Sequence, residues 1–163
     1  MASLTDALVK QLLAGRYIAS LATENPNGSL HMVAVWFWFD GSHVFVGTSS
    51  RSRKARNVQA KPTASLMIDA RDPAASCGVT IAGTAHILTD AASRQKNADI
   101  HRKYLSAAAL ADPKVGPVFA AFDDVTIRIA PDSVIAWDMR ELDRQFFGGT
   151  IGSHPAYLLP LEP

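Results

Sequence analysis

Near the N-terminus the apolar residues Leu4, Leu8, Val9, Leu12 and Leu13 recur at helical spacing behind Ser3 or Thr5 as candidate caps, and Gly15 ends the stretch. The period then shortens. Arg16 to Glu24 alternates as a strand, with Ile18, Ser20 and Ala22 on one side and Ala19, Leu21 and Thr23 on the other. Asn25-Pro26-Asn27-Gly28 is a turn signal, so Leu30 to Asp40 reads as the return strand of a hairpin. That strand, LHMVAVWFWFD, is almost continuously apolar, which predicts a central strand covered on both faces.

Asp40-Gly41-Ser42 makes the next turn and His43 to Thr48 a third strand. Thr63 to Ala70 is the fourth, with Leu66 and Ile68 facing opposite to Met67 and Asp69. After a polar loop at Arg71 to Ala75 comes a fifth strand, Cys77 to Leu88, with a bulge or bend expected at Gly83. Thr89 or Asp90 caps a helix running to about Ala109 that turns Ile100, Tyr104 and Leu105 inward, and Asp112-Pro113 starts a further short helical segment. Val125 to Ala130 and Val134 to Met139 read as a last hairpin around Pro131-Asp132. Seven strands in hairpin order with a few helices predict a mainly β fold, a small antiparallel, Greek-key-like barrel with peripheral helices. It would occupy residues 1–145. The tail from Phe146, residues 146–163, is rich in Gly and Pro yet apolar, and reads as an irregular extension packed on the domain or on a dimer partner.

Composition narrows the class. At 163 residues, 48% hydrophobic and a net charge of +1, the chain is one globular domain without the overall basic excess of a nucleic-acid binder. Its single cysteine, Cys77, has no base in its flanks and reads as a buried strand residue. No signal-peptide pattern or membrane-length apolar run occurs, so a cytoplasmic protein is expected. No residue has the setting of a dedicated general base, nucleophile or metal ligand.

The positive charge is local. Thr48 to Lys61, TSSRSRKARNVQAK, holds five cations and no carboxylate. Serines at 49, 50 and 52 are cap candidates, and Pro62 ends the helix that follows. Arg53, Lys54 and Arg56 then crowd a helix start, where each cation costs about 0.3–1 kcal/mol because the free N–H groups already carry positive charge. A bound anion reverses the sign of those costs, so the stretch describes a phosphate site; the plainer reading is a solvated basic face.

Strand, turn, aromatic strand, Asp-Gly turn, strand, then Thr48 with Ser52-Arg53-Lys54 and a helix ending at Lys61-Pro62 resembles the pyridoxamine 5'-phosphate oxidase-like family of FMN-binding split barrels. The resemblance runs from about Leu8 to Met139. Arg56-Asn57 resembles the branches that use the 8-hydroxy-5-deazaflavin coenzyme, and Gly83-Thr84-Ala85 has the look of the family's Gly-x-Ala. What the resemblance implies is a homodimer with cofactor clefts between subunits and a small-molecule substrate, without nucleic-acid or membrane partners. His31, Met32, Val33, Ala34, Val35 and Trp36 would line the flavin ring, Gly47, Thr48, Ser52, Arg53, Lys54 and Arg56 would form the phosphate end, and Trp137 would lie near the flavin.

The departures bear on activity. Vitamin B6 oxidases resembling this chain carry basic residues where His31 and Trp36 stand, a glutamine at Gly78, and a C-terminal Arg-x-His motif of which Met139 to Arg144 is a loose echo. The expectation is therefore an FMN-binding oxidoreductase of the related type, working by hydride transfer with an unassigned substrate. A deazaflavin-dependent reductase and a non-enzymatic flavin or haem carrier or sensor are the alternatives.

Overall fold

The computed structural model describes residues 2–72, 76–154 and 156–160. The loop expected at Arg71 to Ala75 lies partly outside the described residues, as do Pro155 and the end of the expected extension. The first helix, α1 (Ala7–Ala14), is preceded by Asp6 at the cap position, not Ser3 or Thr5, and buries Val9, Leu12 and Leu13. Full burial of each such side chain contributes about 1.5–3 kcal/mol. The hairpin follows as β1 (Ala19–Glu24) and β2 (Leu30–Val35), starting later than the alternation from Arg16 suggested.

The aromatic stretch does not continue as one central strand. β2 ends at Val35, and β3 (Trp38–Phe39) pairs instead with β4 (Val44–Thr48). Next come α2 (Arg53–Ala60), β5 (Thr63–Ala70), β6 (Cys77–Leu88), α3 (Asp90–Tyr104), α4 (Ala107–Ala111), α5 (Gly116–Phe122), β7 (Val125–Asp138), α6 (Met139–Phe147) and α7 (Thr150–Ser153). All pairings are antiparallel, in the order β2-β1-β5-β6-β7-β4-β3.

That order forces the shape. β2 and β3 are the two outer edges of the sheet, yet only Trp36 and Phe37 separate them, and so short a link spans about 11 Å at most. The sheet must curl until its edges nearly meet. It is a seven-stranded antiparallel half-barrel with peripheral helices, the split-barrel architecture. Leu21, Leu66, Ile68, Ile81, Ile127 and Ile129 fill the inside with α1 and the fully buried Phe37. The apolar run around 30–40 thus arises from closure of the seam, not from a central position. Leu30 and Met32 are 68% and 63% exposed on the outer face of an edge strand.

Three further expectations change. Pro131-Asp132 is not a hairpin turn, because β7 runs unbroken beside β6. Ala82 pairs with Ser133 and Gly83 with Pro131, so Asp132 is the extra residue of a bulge. Gly83 is obligatory there, since a Cβ would stand 1.9 Å from the Ala130 carbonyl oxygen. The helix expected to reach Ala109 stops at Tyr104, because Ser106 accepts from the Ala109 N–H and caps a new helix. The tail is not wholly irregular: the boundary at 145/146 falls inside α6, which Asp138 caps and Gly148 ends at φ +62°. The Asp143 carboxylate accepts from the Ile151 and Gly152 N–H groups and holds α7 against α6. Among the described residues no helix is long and apolar enough to cross a membrane.

Candidate functional site

β4 delivers the basic segment. Thr48, its last residue, is 3% exposed, and its hydroxyl donates to the Ser52 Oγ at 3.0 Å. Ser52 Oγ in turn accepts from the Ala55 N–H at 3.2 Å, so of the three candidate serines Ser52 is the one that caps α2. The Arg53 and Lys54 N–H groups open the helix without an intrahelical partner, and no acidic residue stands in the first turn.

Asn57 sets the tilt of that helix. Its side-chain amide is buried and donates to Thr23 Oγ1 and Asn25 Oδ1, both at 3.1 Å, which locks α2 onto the β1–β2 hairpin. Arg53 reaches the same Asn25 oxygen at 3.5 Å. Arg56 is exposed and has no ion pair among the described residues. Lys54 is half-buried: burial pushes its ammonium pKa down, and the nearby Asp123 charge opposes that shift.

On the far side of Thr48 lies a polar knot. A Cβ on Gly47 would come within 2.9 Å of Asn97 Oδ1 and 3.0 Å of Asp123 Oδ2, so only glycine lets these groups close on β4. Asn97 donates to the Asp123 and Val125 carbonyls and accepts from Thr126 Oγ1 at 2.7 Å. The His101 Nε2 lies 2.9 Å from Asp123 Oδ2, although the sequence showed no partner for this histidine. The next residue, Asp124, accepts from the Ser50 N–H at 2.6 Å and from its hydroxyl at 2.7 Å. Its carboxyl pKa is lowered chiefly by that hydroxyl.

The remaining predicted residues stand on other elements. In β2, Leu30, Met32 and Ala34 are exposed while His31 and Val33 are half-buried and Val35 is buried. β2 pairs with β1 alone, so its outward backbone groups have no strand partner among the described residues. Clefts of about 480 and 550 Å³ flank this face, the first lined by Ala22, Leu30 and Ser65, the second by Ser20 and Ala34. Trp36 stacks on Tyr104 (centroids 5.0 Å, 3° between planes) and on Phe119 (5.5 Å). Trp137 lies at the opposite end of β7 from Thr126, the residue that pairs with Gly47. Its indole covers Gly78, where a Cβ would sit 2.7 Å from the ring, so a larger residue at position 78 is incompatible with this indole. Cys77 is buried, and burial raises its thiol pKa.

The structure therefore gathers Gly47, Thr48, Ser52, Arg53, Lys54 and Arg56 about the start of α2, sets residues 31–35 on an edge strand, and leaves Trp137 apart. Sequence reasoning missed Asn25, Asn97, His101, Asp123 and Asp124 as neighbours of the site. No spacing pattern could have shown them, because Asp124 comes 74 positions after Ser50.

The seven-stranded split barrel with a basic helix start after β4 sets the class. The chain matches the pyridoxamine 5'-phosphate oxidase family over residues 5–138 and belongs to that family. No curated protein matches. Among solved structures, a conserved hypothetical protein of Mycobacterium tuberculosis is similar at 21% identity and TM-score 0.69, covering 86% of this chain and 88% of its own. An F420 reductase is similar at 22% identity and TM-score 0.62, with 77% and 94% covered. The heme storage protein HutZ from Vibrio cholerae matches at 19% identity and TM-score 0.62, with 80% and 92% covered. At these identities the likeness shows the fold.

Proposed function

We propose that this protein is a flavin-binding oxidoreductase that takes FMN, with the phosphate at the start of α2 and the ring along β2. The observation that carries the reading is the capped, carboxylate-free first turn of α2, where Arg53, Lys54 and the open N–H groups meet Thr48 and Ser52. These residues fit a phosphate: a cation-loaded helix start is unfavourable until an anion sits on it. The ring's edge would meet the unpaired backbone groups of residues 31–35, and its face an apolar wall. The chemistry that a bound flavin supplies is two-electron exchange with a small substrate. The chain's own part is to hold, orient and exclude water. Oxidation of vitamin B6 phosphates is outside the proposal, since Trp36 offers no cation and is packed on Tyr104 and Phe119.

The wall is one-sided in a single chain. Ile18, Leu30, Met32 and Ile135 expose apolar surface on or beside the outer face of the sheet, which suits a homodimer with cofactor clefts between the copies. Met32→Arg should shift a dimer to monomer in sedimentation or light scattering and abolish cofactor uptake. A variant that stays dimeric and binds normally would remove this face from the proposal.

Titration with FMN, followed by quenching of flavin fluorescence, tests the reading directly. Arg53→Ala/Lys54→Ala should weaken binding by at least about tenfold, two charge-assisted contacts being lost. Unchanged affinity would refute the phosphate assignment. A second reading replaces FMN with the deazaflavin coenzyme: Arg56 is unpaired among the described residues, and one of the similar structures is an F420 reductase. Parallel titrations separate the two, tighter FMN binding excluding the second.

A further inference from the structure

The hairpin that carries β2 has two ends. Arg53 reaches Asn25 in its turn, so the phosphate proposed above sits at the Leu30 end. Ala34 lies about 13 Å farther along the strand, at about 3.3 Å per residue, and there it shares the cleft of about 550 Å³ with Ser20 and Tyr17. That volume falls within the range of about 300–1,000 Å³ usual for small-molecule sites. Tyr17 is fixed from two sides. The Tyr104 hydroxyl donates to its carbonyl at 2.6 Å, and its ring edge lies against Gly15, where a Cβ would stand 2.3 Å from Cε2. The hydroxyl of Tyr17 itself has no hydrogen-bond partner among the described residues.

The other lining groups decide what that hydroxyl would meet. Ile18, Ala34 and Ala70 give the cleft apolar walls, while Asp69, Arg71 and Asp72 supply its charge. Arg71 is the one cation among the described lining residues, and Asp69 already holds it at 2.8 Å, so a carboxylate or phosphate would find no spare cation and would face two acids. A neutral oxygen acceptor avoids that repulsion. Resting on the flavin reading above, we infer that this cleft is the substrate end of the cofactor site and takes a neutral carbonyl compound with an apolar body, which Tyr17 orients by donating to the carbonyl oxygen. A fixed donor polarises a carbonyl as well as placing it. Tyr17 is thus a specificity residue for the substrate and takes no part in holding the cofactor.

The test uses acetophenone as the probe, benzoate as its charged counterpart and α-methylstyrene as the isostere that lacks the carbonyl oxygen. Titrations followed by NMR compare wild type with Tyr17→Phe, each with and without saturating FMN. The substitution should weaken acetophenone about three- to tenfold, the worth of one neutral hydrogen bond, and leave α-methylstyrene within about twofold. A carbon-13 label on the ketone carbon should shift downfield on wild type only. Benzoate should bind wild type at least about fivefold more weakly than acetophenone. FMN affinity should change by less than about twofold and Tm by less than about 2 °C, because the hydroxyl has no protein partner to lose. Equal acetophenone affinity for both proteins, or none for wild type, would overturn the substrate assignment, and FMN binding in the same samples would keep the flavin reading intact. Tyr17-dependent acetophenone binding by a protein that takes no FMN would sink the flavin reading and leave a carbonyl site. Failure of both ligands would overturn both.

Discussion

Asn57 offers the sharpest test of how the basic helix is held. It is 3% exposed, its partner Thr23 is 2% exposed, and both hydrogen bonds from its amide are short enough to count fully. Asn57→Ala removes one buried and one part-buried bond worth about 1 kcal/mol each net and leaves a small void, so a loss of about 2–3 kcal/mol is expected. For a chain of this size that corresponds to a Tm lower by about 5–10 °C. Asn57→Asp keeps the volume but turns the donor into an acceptor facing Asn25 Oδ1, and should cost at least as much at neutral pH. Chemical denaturation gives the free energies, and flavin titration of the folded variants gives the functional cost, expected at about tenfold or more because Arg53 shares Asn25. The reasoning fails if Asn57→Ala stays within about 0.5 kcal/mol of wild type, or if Asn57→Asp is unperturbed: either would mean that packing alone holds α2.

Gly83→Ala places a methyl group 1.9 Å from the Ala130 carbonyl, which only a shift of backbone can relieve. It should destabilise by more than about 3 kcal/mol or prevent folding, whereas Gly28→Ala, with open space but φ +83°, should cost about 1 kcal/mol; thermal melts compare the two. Lys103, half-buried over the Phe37 ring at 3.7 Å, has its pKa pushed down by burial to about 8 from 10.5. Because the folded pKa lies below the unfolded one, the unfolded chain binds more protons between them, and stability rises as pH increases from about 8. Tyr104, raised by burial to about 12 from 10.0, works oppositely above pH 10, so urea midpoints should climb between pH 8 and 10 in wild type and stay level in Lys103→Met.

Several elements are legible in the sequence alone. The bounds of β5, β6 and α2, a serine cap for α2 and the bulge near Gly83 all follow from local signals: period-2 alternation, serines at 49, 50 and 52 ahead of a breaker-free run, Pro62 after Lys61, a glycine inside a strand; which serine caps is a matter of the fold. The crowding of Arg53, Lys54 and Arg56 is likewise a property of neighbours in the chain. Local patterns failed where one signal serves two ends. Pro131-Asp132 makes a turn or a bulge with the same chemistry, and only the continuous β6 beside it decides for the bulge.

What the chain order alone determined is thus the set of elements and the charge of one helix start, since backbone propensity and capping act within a few residues. Tertiary structure decided that the apolar run at 30–40 becomes an exposed edge and a seam, because closure of the sheet requires its two rims to be joined by Trp36 and Phe37. It also decided that Asp123, Asp124 and His101 stand beside the basic turn. Through-space charge and hydrogen bonding depend on distance across the fold, and 74 positions of sequence separation carry no trace of a 2.6 Å contact.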